Sequence, residues 1–408
     1  MKSTTNPTGL LSFSLALALG LALPAALAPR TACAEDKEES GTDTVYTVNK
    51  EGKTIAKKGE IVEDAYAKIV LKQGEKNVTI KREEIQRIEY GGLPSGLNQA
   101  DGLLAKGNDF DAAAAAYRKV AEDSGTRAIF KMRAFIGLGR ALAGAGKFED
   151  AAAAYQSAIK APTGNLLLDA VRECVRSLNR GKMGAKALVV AREAKATFRS
   201  ADLPEEAQDW AQLLEAESLE ASGQAGEARS KYNVLTNSKD PKVKGTASLG
   251  VARTAFDSKE YDRAEGAFRS ILDQKDIERS VRCGAAVGLG NVLVKKLGNA
   301  KDFQKLRAAA TAYAQALAVH FPGRGEPTDS REQALHECAK VYDALADLCV
   351  GEKDAKGKEL YQSEARQLRE ELVRLYKTSQ FRQENEQKLA KGPQEPSAET
   401  PKAMKTTK

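Results

Sequence analysis

The feature that most constrains this chain is a helical pair that recurs along most of its length. Residues 135–158, FIGLGRALAGAGKFEDAAAAYQSA, hold two helical patterns joined by a short Gly-rich turn. Phe135, Leu138, Gly139 and Leu142 fall at i, i+3, i+4 and i+7, so they share one helix face. Gly139 leaves a gap on that face where a second helix can approach closely, at a helix-propensity cost of roughly 1 kcal/mol. Ala151, Tyr155 and Ala158 form the facing stripe of small, large and small residues. Taking Gly139 as the marker, equivalent slots fall at Asp101, Val175, Ala216, Ala252, Gly290 and Ala339, with spacings of 38, 36, 41, 36, 38 and 49. The second-helix slots follow at Ala113 and Tyr117, Ala228 and Tyr232, Ala264 and Phe268, and Ala309 and Tyr313. The third copy places Ala187, Ala191 and Ala194 there and lacks the aromatic. A repeat of this length is one supersecondary unit that buries its apolar face only by stacking on its neighbours.

This pattern, from Phe135, Leu138, Gly139 and Leu142 to Ala151, Tyr155 and Ala158 with Pro162 as the stop, resembles the tetratricopeptide repeat. The resemblance implies a mainly α fold, a right-handed superhelical array (an α-solenoid) of about seven helical hairpins over residues 93–379. It also implies a binding role. In such arrays the first helices line a groove, and ligands are met by the second, fifth, ninth and twelfth positions of each repeat. The ninth position here carries Arg140, Arg176, Glu217, Arg253, Asn291 and Lys340, and the second and fifth add Arg133 and Arg172. Guanidinium groups at regular steps suit carboxylates, so the implied ligands are protein or peptide segments, acidic ones or carboxy-terminal ones. Arg140, Arg176 and Arg253 lie off the faces marked by Leu138, Cys174 and Val251, so reversing their charge should cost little stability. Glu217 and Glu220 interrupt the basic stripe, and a solvated charged face is the alternative reading of it.

Ahead of the array the hydrophobic period changes from helical to two. Val45 and Thr47, Ile61 and Val62, Ile69 and Leu71, Val78 and Ile80, and Ile85 and Ile88 read as about five short strands. So many short strands expose edges unless the sheet curls, which points to a small all-β barrel over residues 44–92. The segment resembles the SH3-like and Sm-like barrels, in which a helical turn, here residues 82–84, precedes the last strand. GGLPSG at 91–96 marks the junction with the helices.

Residues 1–34 have Lys2, an apolar run of 14 residues from Leu10 to Leu23, and a small-residue end at Ala32, Cys33 and Ala34. They read as an export signal, too short for a permanent membrane span. Export to the periplasm or the cell exterior is therefore expected. Arg30 stands where a lipoprotein signal carries Leu, so Cys33 is not the expected anchor. A flexible lead at 35–43 and a disordered basic tail at 380–408, poor in apolar residues, complete the plan.

The formal net charge of +7 falls to +5 without Lys2 and Arg30, and acids are interleaved with bases throughout. That balance lacks the one-sided field of a nucleic-acid binder. Two histidines, His320 and His336, have no nucleophile or metal-ligand companion at useful spacing, and His320 is placed to cap a helix. Cys174, Cys283, Cys338 and Cys349 form no CxxC pair; Cys174 and Cys338 occupy the buried slot of Leu138. Phosphate loops, nucleophile elbows and HExxH are absent from the sequence. The expectation is a non-enzymatic exported scaffold or adaptor without metal or cofactor; the alternative is a cell-envelope protein that binds peptidoglycan or another glycan polymer.

Overall fold

The computed structural model describes residues 42–391 except 50, 108, 161–165, 320–321, 323–327 and 351–353. The protein divides into residues 1–39 and 40–408, and all described residues belong to the second unit. The expected export signal, most of the lead, the cap at His320 and the tail beyond residue 391 lie outside the described residues.

Five antiparallel strands come first: β1 (Asp43–Val48), β2 (Thr54–Asp64), β3 (Lys68–Gln73), β4 (Lys76–Lys81) and β5 (Ile85–Glu89), in the order β4-β3-β2-β1-β5. The long β2 pairs β1 through residues 54–59 and β3 through residues 60–64, with a register shift between Ile61 and Glu63. One strand thus serves two halves of a bent sheet, and the bulge supplies the bend. The 3₁₀ turn Arg82–Glu84 stands before β5, where the sequence places it. Val45, Ile61, Ile69, Leu71 and Ile80 form the core of the sheet. Asp43, expected in the flexible lead, is instead fully buried in β1. Its carboxylate accepts from Ile61 N (2.7 Å), Gly91 N (2.8 Å) and both terminal nitrogens of Arg127 (2.8 and 2.7 Å). These bonds meet the requirement that a buried charge be paired.

Fifteen helices follow among the described residues, and the first fourteen pair as seven hairpins. The first helices are α1 (Ser95–Lys106), α3 (Ala128–Gly144), α5 (Leu167–Arg180), α7 (Glu206–Ala221), α9 (Pro241–Asp257), α11 (Arg279–Leu297) and α13 (Asp329–Leu348). Their partners are α2 (Phe110–Glu122), α4 (Phe148–Ile159), α6 (Gly184–Ser200), α8 (Ala225–Leu235), α10 (Tyr261–Leu272), α12 (Phe303–Val319) and α14 (Ala355–Leu375). Arg127, which binds Asp43, immediately precedes α3, so the sheet is fastened to the array across the 91–96 junction. Tyr90 meets Phe130 edge to face beside it, with centroids 6.2 Å apart.

The small slots of the first helices are sockets for rings. A Cβ at Gly139 would lie 2.6 Å from the Tyr155 ring of its own hairpin, and one at Gly290 would lie 2.6 Å from Tyr313. Two residues earlier is a second set of sockets: a Cβ at Gly137 would come within 2.3 Å of Tyr117, at Gly250 within 2.5 Å of Tyr232, and at Gly288 within 2.2 Å of Phe268. Gly137 and Gly288 receive rings from the preceding hairpin, and so does Gly250. Each such first helix is therefore gripped between two second helices, and the aromatics stitch one hairpin to the next. In the third hairpin, where the usual aromatic slot is Ala191, Phe198 of α6 is fully buried in the same core.

The turns within the first six hairpins share a feature of their own. Positive φ occurs at Gly107, Gly146, Lys182, Gly223, Lys259 and Gly298, the residues that reverse the backbone between first and second helices. Left-handed backbone is what glycine tolerates and other residues adopt at a cost.

The tail expectation needs correction over residues 382–390. Arg382–Ala390 form α15, and Asn385 within it is buried. Phe381 stacks on the buried His336 ring at 4.5 Å, and Asn385 Nδ2 lies 3.0 Å from His336 Nδ1 and donates to Phe381 O at 2.7 Å. An aromatic and an amide set on His336 of α13, together with Arg382 donating to Val373 O of α14, order a segment whose composition alone is too polar to fold.

Candidate functional site: the lumen of the superhelix

The first helices of all seven hairpins face a common cavity of about 1500 Å³. Its wall runs from Leu97 and Asp101 on α1, through Arg133 and Arg140 on α3 and Arg176 on α5, to Glu217 on α7 and Arg253 on α9. Ser280 on α11, Glu332 on α13 and the residues after α14 complete it. Ninth-position residues of four successive repeats therefore share one space. The wall is of mixed charge, with Asp101, Asp169, Glu173, Glu217 and Glu220 set among its arginines.

The seven sequence-derived candidates separate into different environments. Arg133, Arg140, Arg176 and Arg253 line the lumen, whereas Arg172, Asn291 and Lys340 are not among its lining residues. Arg140 is exposed and Arg176 half-buried, and neither has a hydrogen bond or ion pair among the described residues. Arg133 lies 3.8 Å from Asp101, a loose ion pair. These three are the guanidinium groups best placed to meet a ligand.

Arg253 has another role. It donates from Nε to Glu220 Oε1 and from Nη2 to Glu220 Oε2, both at 2.7 Å, a bidentate pair between α9 and α7. Tyr232 Oη donates to the same carboxylate at 2.6 Å. Burial alone would raise the Glu220 pKa, but the Arg253 charge and the hydrogen bonds from Arg253 and Tyr232 outweigh it and hold the carboxyl below its ordinary value. Glu220 meets Arg253 rather than interrupting a basic stripe. The expectation that Arg253 can be reversed at little cost to stability does not hold, because Glu in its place would leave two carboxylates facing each other.

Arg172 is also committed. Its guanidinium lies over the Trp210 ring of α7, 4.0 Å from the centroid, and 3.5 Å from Asp169. Desolvation, followed by repulsion from Arg176, lowers its pKa. Asn291 accepts from Tyr313 Oη at 2.8 Å, and Lys340 pairs with Glu337 one turn away at 3.1 Å. The hydroxyl of a buried second-helix tyrosine thus finds an acceptor on its own first helix in three hairpins: Asp101 for Tyr117, Glu220 for Tyr232 and Asn291 for Tyr313. That satisfies the polar end of an otherwise apolar side group. Ninth-position spacing identifies the surface but cannot reveal which cations are already paired, since the acceptor for Arg253 sits 33 residues away.

One long-range contact and one close approach, both missed by the sequence, bring the two ends of the lumen wall together. Arg180 at the end of α5 pairs with Asp329 at the start of α13 at 3.2 Å. Thr378, after α14, stands close to Gly146 in the α3–α4 turn: a Cβ added to Gly146 would sit 3.9 Å from Thr378 Cβ. The third hairpin therefore touches the seventh, and the turn that follows the seventh comes close to the second.

Cys174, Cys283 and Cys338 are buried free thiols, and Cys349 is half-buried and free. Burial pushes the Cys174 and Cys338 thiols up to about 12, which keeps them protonated and unreactive. Among the described residues no group of His, Cys, Asp and Glu could hold a metal ion, and no helix is long and apolar enough to cross a membrane.

A tetratricopeptide repeat family model matches residues 97–165. No curated protein matches the sequence. Similar solved structures include the apo form of RapI, at 12% identity, TM-score 0.39, over 69% of this chain and 87% of that one. NprR in complex with its cognate peptide NprX is similar at 15% identity, TM-score 0.39, over 72% and 85%. The C-terminal part of a TPR repeat-containing protein from Cytophaga hutchinsonii is similar at 12% identity, TM-score 0.32, over 71% and 98%. Residues 97–165 span α1–α4, so the tetratricopeptide repeat match falls on the first two hairpins of this α-solenoid.

Proposed function

We propose that the protein is a non-enzymatic, exported scaffold that binds a protein or peptide segment in the lumen of its helical array. The observation that carries this reading is the pair Arg140 and Arg176, which line the lumen from adjacent first helices with no ionic partner among the described residues. Unpaired guanidinium groups beside a low-dielectric wall favour a carboxylate, which they can hold by two parallel hydrogen bonds. The acids set among these arginines, Asp169, Glu173 and Glu217, favour a segment of mixed charge whose carboxylate meets Arg140 and Arg176. The carboxy-terminus of a polypeptide or an acidic residue within an extended peptide meets that description, whereas a uniformly acidic strand does not. Export rests on the apolar run and small-residue end of residues 1–34.

The test is capture from native cell envelopes by chemical crosslinking and mass spectrometry, using the full-length protein and Arg140→Glu/Arg176→Glu. The expected result is a defined partner that the double variant loses, while Lys119→Glu/Lys160→Glu, on the exposed face of α2 and at the end of α4, retains it. Equal loss in both variants would make the effect one of net charge and overturn the reading.

A further inference from the structure

The lumen is closed by a seam rather than by continuous packing. Neighbouring hairpins are joined by buried rings, whereas the second and third hairpins and the far end of the array keep separate buried apolar clusters, and among the described residues the ion pair Arg180–Asp329 spans them. Arg180 and Asp329 remain 32% and 59% exposed at their side chains, so water screens the pair and weakens it. The exposed Thr378 stands close to Gly146 across a gap that an added side chain would fill: a Cβ on Gly146 would lie 3.8 Å from the Thr378 methyl. The turn that carries Thr378 is itself held from behind: Ser379 N donates to Tyr376 O, Arg382 donates to Val373 O at 2.8 Å, and Phe381 stacks on His336. The same turn supplies Tyr376, Lys377, Thr378 and Gln380 to the lumen wall.

We propose that this turn is a latch that shuts the superhelix into a ring, and that the seam Arg180–Asp329 and Gly146–Thr378 parts to admit a polypeptide to the lumen. The firm anchorage of the turn to α13 and α14 makes the seventh hairpin and α15 move as one jaw, with the second and third hairpins as the other. The role of the ring in binding rests on the lumen reading above; the existence of a parting seam does not.

The test is a reversible lock. The Cβ separation of 3.9 Å at Gly146 and Thr378 matches that of a disulfide, about 3.8 Å. Gly146→Cys/Thr378→Cys is made in the full-length protein with Cys33→Ser and Cys349→Ser, since the other native thiols are buried. Mild oxidation is expected to join residues 146 and 378 in most molecules. Adding Arg180→Glu, which sets a carboxylate against Asp329, should slow the joining about fivefold, and the swap Arg180→Glu/Asp329→Arg should restore it. No joining, or a rate indifferent to the reversal and the swap, would overturn the seam. Gly146 has φ near +77°, so a cysteine there is strained. Amide hydrogen exchange in the Gly-containing parent gives an independent reading: residues 377–380 should exchange faster in Arg180→Glu than in wild type and recover in the swap. Unchanged exchange would again overturn the seam. For the latch, the oxidised lock is expected to lose the partner captured by wild type and to regain it on reduction; undiminished capture by the locked ring would overturn gating. Failure of unlocked wild type to capture any partner would instead count against the lumen reading, leaving the oxidation and exchange results to decide the seam.

Discussion

At the residue scale, the lumen separates cations that hold the fold from cations that are free to act. Arg253 and Glu220 form a bidentate pair, with side chains 37% and 14% exposed, so its worth lies below that of a fully buried pair. Arg253→Glu is expected to lower the unfolding free energy by about 1 to 3 kcal/mol after that screening is allowed for. Arg140→Glu and Arg176→Glu should each stay within about 0.5 kcal/mol of wild type, as surface changes do. Chemical denaturation of the three variants measures the difference directly. The pair also sets a pH dependence. Because the Glu220 carboxyl is held below its unfolded value of 4.5, the unfolded state binds more protons as pH falls past that value, and the stabilisation present above it is lost below it. Wild type should therefore lose stability more steeply than Glu220→Gln between pH of about 4.5 and 3, as read from denaturation midpoints. Equal slopes would show that Glu220 contributes nothing to the acid limb.

At the scale of the element, a first helix is defined by its sockets. The sequence reading takes Gly139 alone as the close-contact position of its helix. The structure corrects this, because Gly137 receives the Tyr117 ring from α2 as Gly139 receives Tyr155 from α4. Both Gly137→Leu and Gly139→Leu should destabilise the array by overpacking, at about 1 to 3 kcal/mol or more. Gly226→Ala in α8 is the control: nothing lies within 4 Å of its Cβ position, so better helix propensity should stabilise by up to about 1 kcal/mol. The turns make a second prediction. Lys182 and Lys259 occupy left-handed positions that glycine fills in four other hairpins. Replacing either with Gly should raise stability by about 0.5 to 1 kcal/mol, the relieved strain exceeding the added freedom of the unfolded state. Thermal melts of the single variants check it. What the sequence makes legible here is the contact within one hairpin, whose period is local. The second socket is not legible because its ring comes from the preceding hairpin, and one helix face gives no sign of where a neighbouring helix will cross.

At the scale of the whole molecule, repetition makes the architecture readable. The slots from Asp101 to Ala339 mark all seven first helices, and Val45, Ile61, Ile69, Leu71 and Ile80 mark the core of the sheet ahead of them. Closure is not readable, since Arg180 and Asp329 are 149 residues apart and each looks like an ordinary surface charge. The docking of α15 is hidden for the same reason: Asn385 and Phe381 sit in a polar stretch, and only the position of His336 gives them a partner. The central claim is that partners are held inside the ring. It is tested most directly by a photo-crosslinking amino acid placed at Thr246, which lines the lumen on α9, and at Lys195, exposed on α6. In cells that express the protein the account predicts a discrete partner adduct from position 246 and none from position 195. An adduct from position 195 with none from position 246 would contradict it.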